Sequence, residues 1–274
     1  MLDNFLVAFE NDSDALIPYA VSAAKVLGAL PTAVWPRREA AVVDDGSLDA
    51  RLEAAVNAAS ARRTLARQRL EAFALDAKAA GVAAEVLYPD EGSDPSRNAL
   101  PRFARAFDFA MVQQREPGRA PGRDDLTAAL LAESGRPVWV VPAIQRAPAK
   151  FARVLVAWDG GAAAAEAFSE SKRILERAGR VEVVSVVGAS TDPAVIAGGE
   201  RLAARVARAG VAADFRRLPG DEDPANALLS YAADVGADLM VCGGYSHSRL
   251  RETLFGGTTR TFLTSMTLPV FFAH

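Results

Sequence analysis

The chain has 274 residues, 50% of them apolar, and a formal net charge of −3. That length suits one large domain or two of ordinary size, and the charge gives no electrostatic reason for nucleic acid to bind. Cys242 is the sole cysteine, and His247 and His274 are the only histidines; a disulfide framework, a cysteine-held zinc and a histidine metal cluster are therefore excluded.

Residues 1–10 carry no basic leader region, and a strand-like run begins at Phe5; no signal peptide is expected. No stretch reaches the roughly 18 uninterrupted apolar residues of a membrane span, so a soluble, cytoplasmic chain is the expectation. Residues 6–10 read as a strand. The Ala- and Arg-rich segment 48–80 has high helix propensity throughout and predicts a long helix, whose mixed charges suit a solvated face or a partner surface. A strand follows at 108–112, then a polar loop from Gln113 to Arg119, a helix near Asp125 and a strand at 137–140. Residues 144–150, with Pro148 and polar neighbours, read as a linker.

Beyond the linker, strands are predicted at 153–158, 181–187, 212–218, 239–242 and 269–272. Helices are predicted at 163–178, 193–209, 224–235 and 258–265. Pro224 falls in the first turn of its helix, where a missing N–H is harmless. This second series repeats the first. Ala80-Gly81-Val82-Ala83-Ala84-Glu85 returns as Ala209-Gly210-Val211-Ala212-Ala213-Asp214. Residues 108–112 answer 238–241, residues 137–140 answer 269–272, and residues 6–10 answer 155–159. The first copy is the longer between these landmarks, and the excess falls in the 48–80 helix. Alternating strands and helices imply parallel sheets covered by helices on both faces. The reading is an α/β chain of two similar, five-stranded, mainly parallel, Rossmann-like domains, 1–147 and 151–274.

Between the fourth strand and the fourth helix of the second copy stand Gly243, a basic and hydroxyl-rich loop, and then Gly256-Gly257-Thr258-Thr259. Glycines permit positive φ and close backbone approach, and amides at a helix start favour an anion. Such a loop lies at the carboxyl ends of the strands, where open α/β sheets bind ligands. Alone, it reads equally as a phosphate cradle or a tight turn.

Taken together, these residues resemble the universal stress protein family in its tandem two-domain form, with an adenine nucleotide alpha hydrolase-like fold. Nucleotide-binding members show Gly, two residues, Gly, nine residues, Gly and then Ser or Thr after the fourth strand, and Asp after the first. The resemblance implies that the neighbourhood of Asp159, with Ala157 two residues before it, meets adenine and ribose, and that the backbone at Val186 touches the adenine. It makes Gly243 and Gly256 the first and last loop glycines. Ser246 stands where the middle glycine belongs, and Gly257 where the hydroxyl belongs, with Thr258 one step later. A frame shifted by one restores the hydroxyl at Thr258 and puts His247 at the middle position. Arg249 or Arg251 would steer a polyphosphate, and Thr259 closes the motif. The implied ligand is ATP or a related adenine nucleotide, with magnesium only alongside it. In the first copy Glu10 replaces the aspartate, and Pro117 and Pro121 remove amides that a cradle would use; this copy is expected to have lost the site.

Other readings stay open. Asp159 caps the next helix, contacts a ligand, or does both. His247 contacts phosphate or lies free in the loop, and Arg249 and Arg251 pair with Glu252 or meet solvent. Cys242 reads as a small buried hydrophobe. Neither a nucleophile elbow nor a Walker lysine is present, so no reaction mechanism is implied, and ATP hydrolysis would be slow and incidental. The expected molecule is a stress-response protein whose halves pack as an intramolecular pseudo-dimer through 138–141 and 270–273, with a further homodimer open and its protein partner unknown. The alternatives are an interaction or scaffold protein of the same fold that binds no nucleotide, and an enzyme acting on a nucleotide-activated substrate. A Gly243→Asp variant would be expected to lose ligand with the fold intact.

Overall fold

The computed structural model describes residues 4–10, 15–37, 48–89, 94–115, 125–220, 223–244 and 257–273. In the first half, β1 (Asn4–Ala8), β2 (Leu30–Val34), β3 (Glu85–Leu87), β4 (Phe109–Gln113) and β5 (Val138–Val141) alternate with α1 (Leu16–Leu27), α2 (Leu48–Ala80), α3 (Leu100–Ala104) and α4 (Leu126–Glu133). In the second half, the strands are β6 (Val154–Ala157), β7 (Arg180–Val187), β8 (Ala212–Pro219), β9 (Leu239–Gly243) and β10 (Val270–Ala273). Its helices are α5 (Ala162–Glu170), α6 (Lys172–Leu175), α7 (Pro193–Arg208), α8 (Pro224–Val235) and α9 (Gly257–Ser265).

All ten strands form one sheet in the order β3-β2-β1-β4-β5-β10-β9-β6-β7-β8. Each half therefore repeats one order, with its direction of winding reversing between its first and fourth strands. The two halves meet where β10 runs antiparallel to β5, with Phe271 opposite Trp139 and Val270 opposite Val140. These are the edges expected from the sequence. Every other pairing is parallel.

The central strands are apolar on both sides because helices cover both faces of the sheet. Alternate residues such as Val154, Val156, Val183 and Val241 face α1, α2, α5, α6 and α7. Their neighbours Leu155, Val184, Met240 and Cys242 face α3, α4, α8 and α9. At the junction, Trp139 is surrounded by aromatic rings. Those of Phe109 and Phe151 lie 5.7 Å from it, and those of Tyr19 and Phe271 lie 5.8 Å from it, centroid to centroid. The linker ends at Phe151, which holds a left-handed backbone (φ 52°) with its side chain fully buried.

The long predicted helix is present as α2, 33 residues against 16 in its counterpart α7. Its second part buries Ala66, Leu70, Phe73 and Ala77, while Leu52 and Val56 are 64% and 58% exposed. The helix predicted at 163–178 is divided. Ser171 is buried, takes a non-helical ψ of 1° and turns its hydroxyl to the Phe168 carbonyl, so α5 ends and α6 begins there. Such back-bonding by serine competes with the helical pattern.

Candidate functional site

The reversal of winding in the second half lies between β6 and β9. There the chain leaves β6 through Ala157, Trp158 and Asp159. The Trp158 N–H continues the ladder to the Val184 carbonyl at 2.8 Å. Its ring turns to the α7 side, where Nε1 donates to the Val195 carbonyl at 2.9 Å. Gly198 gives it room, since a Cβ there would stand 3.1 Å from the ring. Ala157 points to the opposite face and is half-buried, as is Val186 near the end of β7. Asp159 is exposed, and its Oδ1 accepts the Gly161 N–H at 2.8 Å. It thus ties down the turn into α5, whose N-cap is Gly161 itself.

Gly243 ends β9, and its φ is not left-handed. A Cβ on it would stand 2.7 Å from the backbone carbon of Ala163 and 2.7 Å from the nitrogen of Ala164. The glycine lets the first turn of α5 lie directly on β9. The expectation that Gly243→Asp leaves the fold intact is therefore corrected, because any side chain would push α5 away. Gly257 opens α9 with empty space where a Cβ would go, and Thr258 beside it is exposed. Thr259 is 6% exposed and turns inward. Ser246, His247, Arg249, Arg251 and Gly256 lie outside the described residues.

Burial pushes the Cys242 thiol well above its ordinary range, and the Asp159 charge adds to this. The thiol is buried and protonated, which makes it unreactive. Among the described residues, no group of three His, Cys, Asp or Glu could hold a metal.

The matching place in the first half, between β1 and β4, is built differently. Gln113 ends β4 as Gly243 ends β9. Gln114, buried, donates from Nε2 to the Leu263 carbonyl of α9 at 2.9 Å. Glu10 is joined to Arg97 at 2.5 Å, with the two side chains 14% and 16% exposed. The cavity left among Phe9, Glu10, Val112 and Gln113 is about 10 Å³, room for one water at most. The sequence reading missed the Glu10–Arg97 pair and the reach of Gln114 into α9. The signal available was the pair of long polar residues Gln113-Gln114 where the other copy has Gly243-Gly244.

The universal stress protein family model matches residues 150–274. Residues 150–274 thus resemble universal stress proteins in sequence. Solved universal stress proteins share the fold over the whole length. One from Archaeoglobus fulgidus DSM 4304 is 17% identical, with 98% of this chain and 97% of that chain covered and a TM-score of 0.73. A putative universal stress protein from Pseudomonas aeruginosa UCBPP-PA14 is 16% identical, with 99% and 93% covered and a TM-score of 0.60. No curated protein matches the chain in sequence. Among the described residues, no helix is long and apolar enough to cross a membrane.

Proposed function

We propose that this chain is a tandem stress-response protein of two domains, 1–147 and 151–274. In this reading the second domain binds ATP or a related adenine nucleotide, and the first has lost the site. The observation that carries it is the contrast between the two switch points. One is filled by Phe9, Gln113 and the Glu10–Arg97 pair. The other is lined by the small or half-exposed residues Ala157, Val186, Gly243 and Gly244. The match of residues 150–274 to the universal stress protein family model supports the stress role.

Within this reading, Ala157 and Val186 offer an apolar floor to a base, and the exposed Asp159 carboxylate suits ribose hydroxyls. The first amides of α9 have no partner within the helix and sit at the positive end of its dipole, which favours phosphate, and Thr258 adds an exposed hydroxyl there. Ser246, His247, Arg249, Gly256, Gly257 and Thr259 belong to the same loop by resemblance, and magnesium would enter only with the nucleotide. The ligand would act by favouring one shape of the protein, which requires different affinities for the two shapes. A second reading, an interaction protein without nucleotide, draws on the exposed Leu52 and Val56 of α2.

The test is calorimetry with ATP on protein freed of carried-over nucleotide, for wild type and Thr258→Glu. An acidic residue at a helix start favours the helix while repelling phosphate, so the fold should survive. Affinity should fall at least about tenfold, equivalent to about 1.4 kcal/mol, with an unchanged unfolding midpoint. No heat from wild type at millimolar ATP would refute binding, and an affinity indifferent to Thr258→Glu would place the nucleotide elsewhere.

A further inference from the structure

We infer that two copies of this chain associate through their β8 edges, strand against strand and antiparallel, into a symmetric dimer. The two ends of the ten-stranded sheet differ. At one end stands β3, with three residues, and at the other stands β8, with eight. Among the described residues β8 pairs with β7 alone. Its other side therefore presents a row of backbone donors and acceptors that a further strand can take. The molecule already makes such a joint within one chain, where β5 and β10 meet antiparallel.

The side chains of β8 select the occupant and the register. Ala213 and Phe215 pack toward α7, where a Cβ on Gly199 would stand 2.2 Å from the Phe215 ring. Arg217 shares that face, with its guanidinium 5.9 Å over the Phe215 ring and 2.8 Å from Glu200. Asp214 and Arg216 lie on the other face, where Arg180 joins Asp214 and Arg216 stands 3.8 Å from Glu182. The Asp214 and Arg216 side chains are 44% and 52% exposed. A two-fold axis through Phe215 sets Asp214 opposite Arg216 of the second copy, and Arg216 opposite its Asp214. Directly opposite residues lie about 4.5–5.5 Å apart, close enough for opposite charges to attract. A slip by one residue would set the two faces of the sheet against each other. A slip by two would put Asp214 opposite Asp214 or Arg216 opposite Arg216, which is destabilising. The run Asp214-Phe215-Arg216 is thus complementary to itself in this one register, as a two-fold contact requires.

The test is analytical ultracentrifugation of the full chain, together with cysteine cross-linking. A reversible monomer–dimer equilibrium is expected. Arg216→Asp, which sets Asp opposite Asp at both places, should weaken it at least tenfold. In the same register Ala213 stands opposite Arg217 of the second copy, while identical positions of the two copies are about 13 Å apart along the strand. The double variant Ala213→Cys/Arg217→Cys should form disulfide-linked dimers under mild oxidation, because opposite strand positions lie within the reach of a disulfide. Neither single variant should cross-link, and the native Cys242 is buried. Monomer at every concentration, association unchanged in Arg216→Asp, or cross-linking in a single variant would overturn the proposal. If Arg216→Asp fails to fold, the cysteine pair decides, since it leaves Asp214 and Arg216 in place. Thr258→Glu should leave association as it is, so this interface stands or falls apart from the nucleotide site.

Discussion

Gly243 and Gly257 belong to one sequence motif and answer to different forces. Gly243 is confined by the backbone of Ala163 and Ala164, so its small size serves packing between β9 and α5. Gly257 has open space around its missing Cβ and no left-handed φ, and a side chain there costs nothing in packing. Gly243→Ala should therefore destabilise the protein by about 1–3 kcal/mol, the usual cost of overpacking. Gly257→Ala should stabilise it by about 0.4–1 kcal/mol through lower freedom of the unfolded chain. Urea unfolding midpoints of the two variants should move in opposite directions. The sequence marked both glycines as special, but the neighbour that confines Gly243 lies far along the chain and appears only in the folded state. The same distinction separates Thr258, exposed, from Thr259, buried.

At the level of single elements, α4 shows how a helix start and its burial oppose each other. Asp125 is the N-cap, and its Oδ1 accepts the Ala128 N–H at 3.2 Å. Burial raises its carboxyl pKa above the ordinary 3.8, more than the hydrogen bond from Ala128 lowers it, and the nearby Glu10 raises it further. A folded value above the unfolded one means the native state holds the proton more tightly. The stability due to this group is full below 3.8 and is lost as pH rises through the raised folded value. Asp125→Asn keeps a good cap and does not titrate. Its stability relative to wild type should grow as pH rises from 4 to 7, read by urea unfolding at each pH. Asp125→Ala, which lacks the cap, should cost about 1 kcal/mol. The sequence suggested a helix near Asp125, but its apolar surroundings come from other elements. Likewise, the run 163–178 predicts one helix, and the turn at the buried Ser171, whose hydroxyl bonds back to the Phe168 carbonyl, divides it.

Across the whole molecule, the β5–β10 joint makes one sheet of two repeats. Trp139 is central to it, fully buried and in contact with Tyr19 and Phe109 of its own half and with Phe271 of the other. Phe151, at the end of the linker, packs on the same ring. Trp139→Ala should cost about 3–5 kcal/mol, as large aromatic truncations in cores do. Because the ring serves both halves, amide hydrogen exchange should accelerate in β1 and in β9 together. Acceleration confined to β1 would show that the halves are stabilised separately.

The repeat, the order of strands and helices and the length of α2 were all legible in the chain. Each is carried by local periodicity, by glycine and proline placement, or by comparison of one half with the other. What filled the first crevice was decided in three dimensions. Glu10 and Arg97 are far apart in sequence, and Gln114 reaches the carbonyl of Leu263 across the joint. The open edge of β8 likewise depends on its place in the sheet, which is set by pairing between distant segments rather than by any local pattern. Sequence specifies which segments become strands and helices because those preferences are short-range. Contacts between distant segments decide which spaces between them stay open.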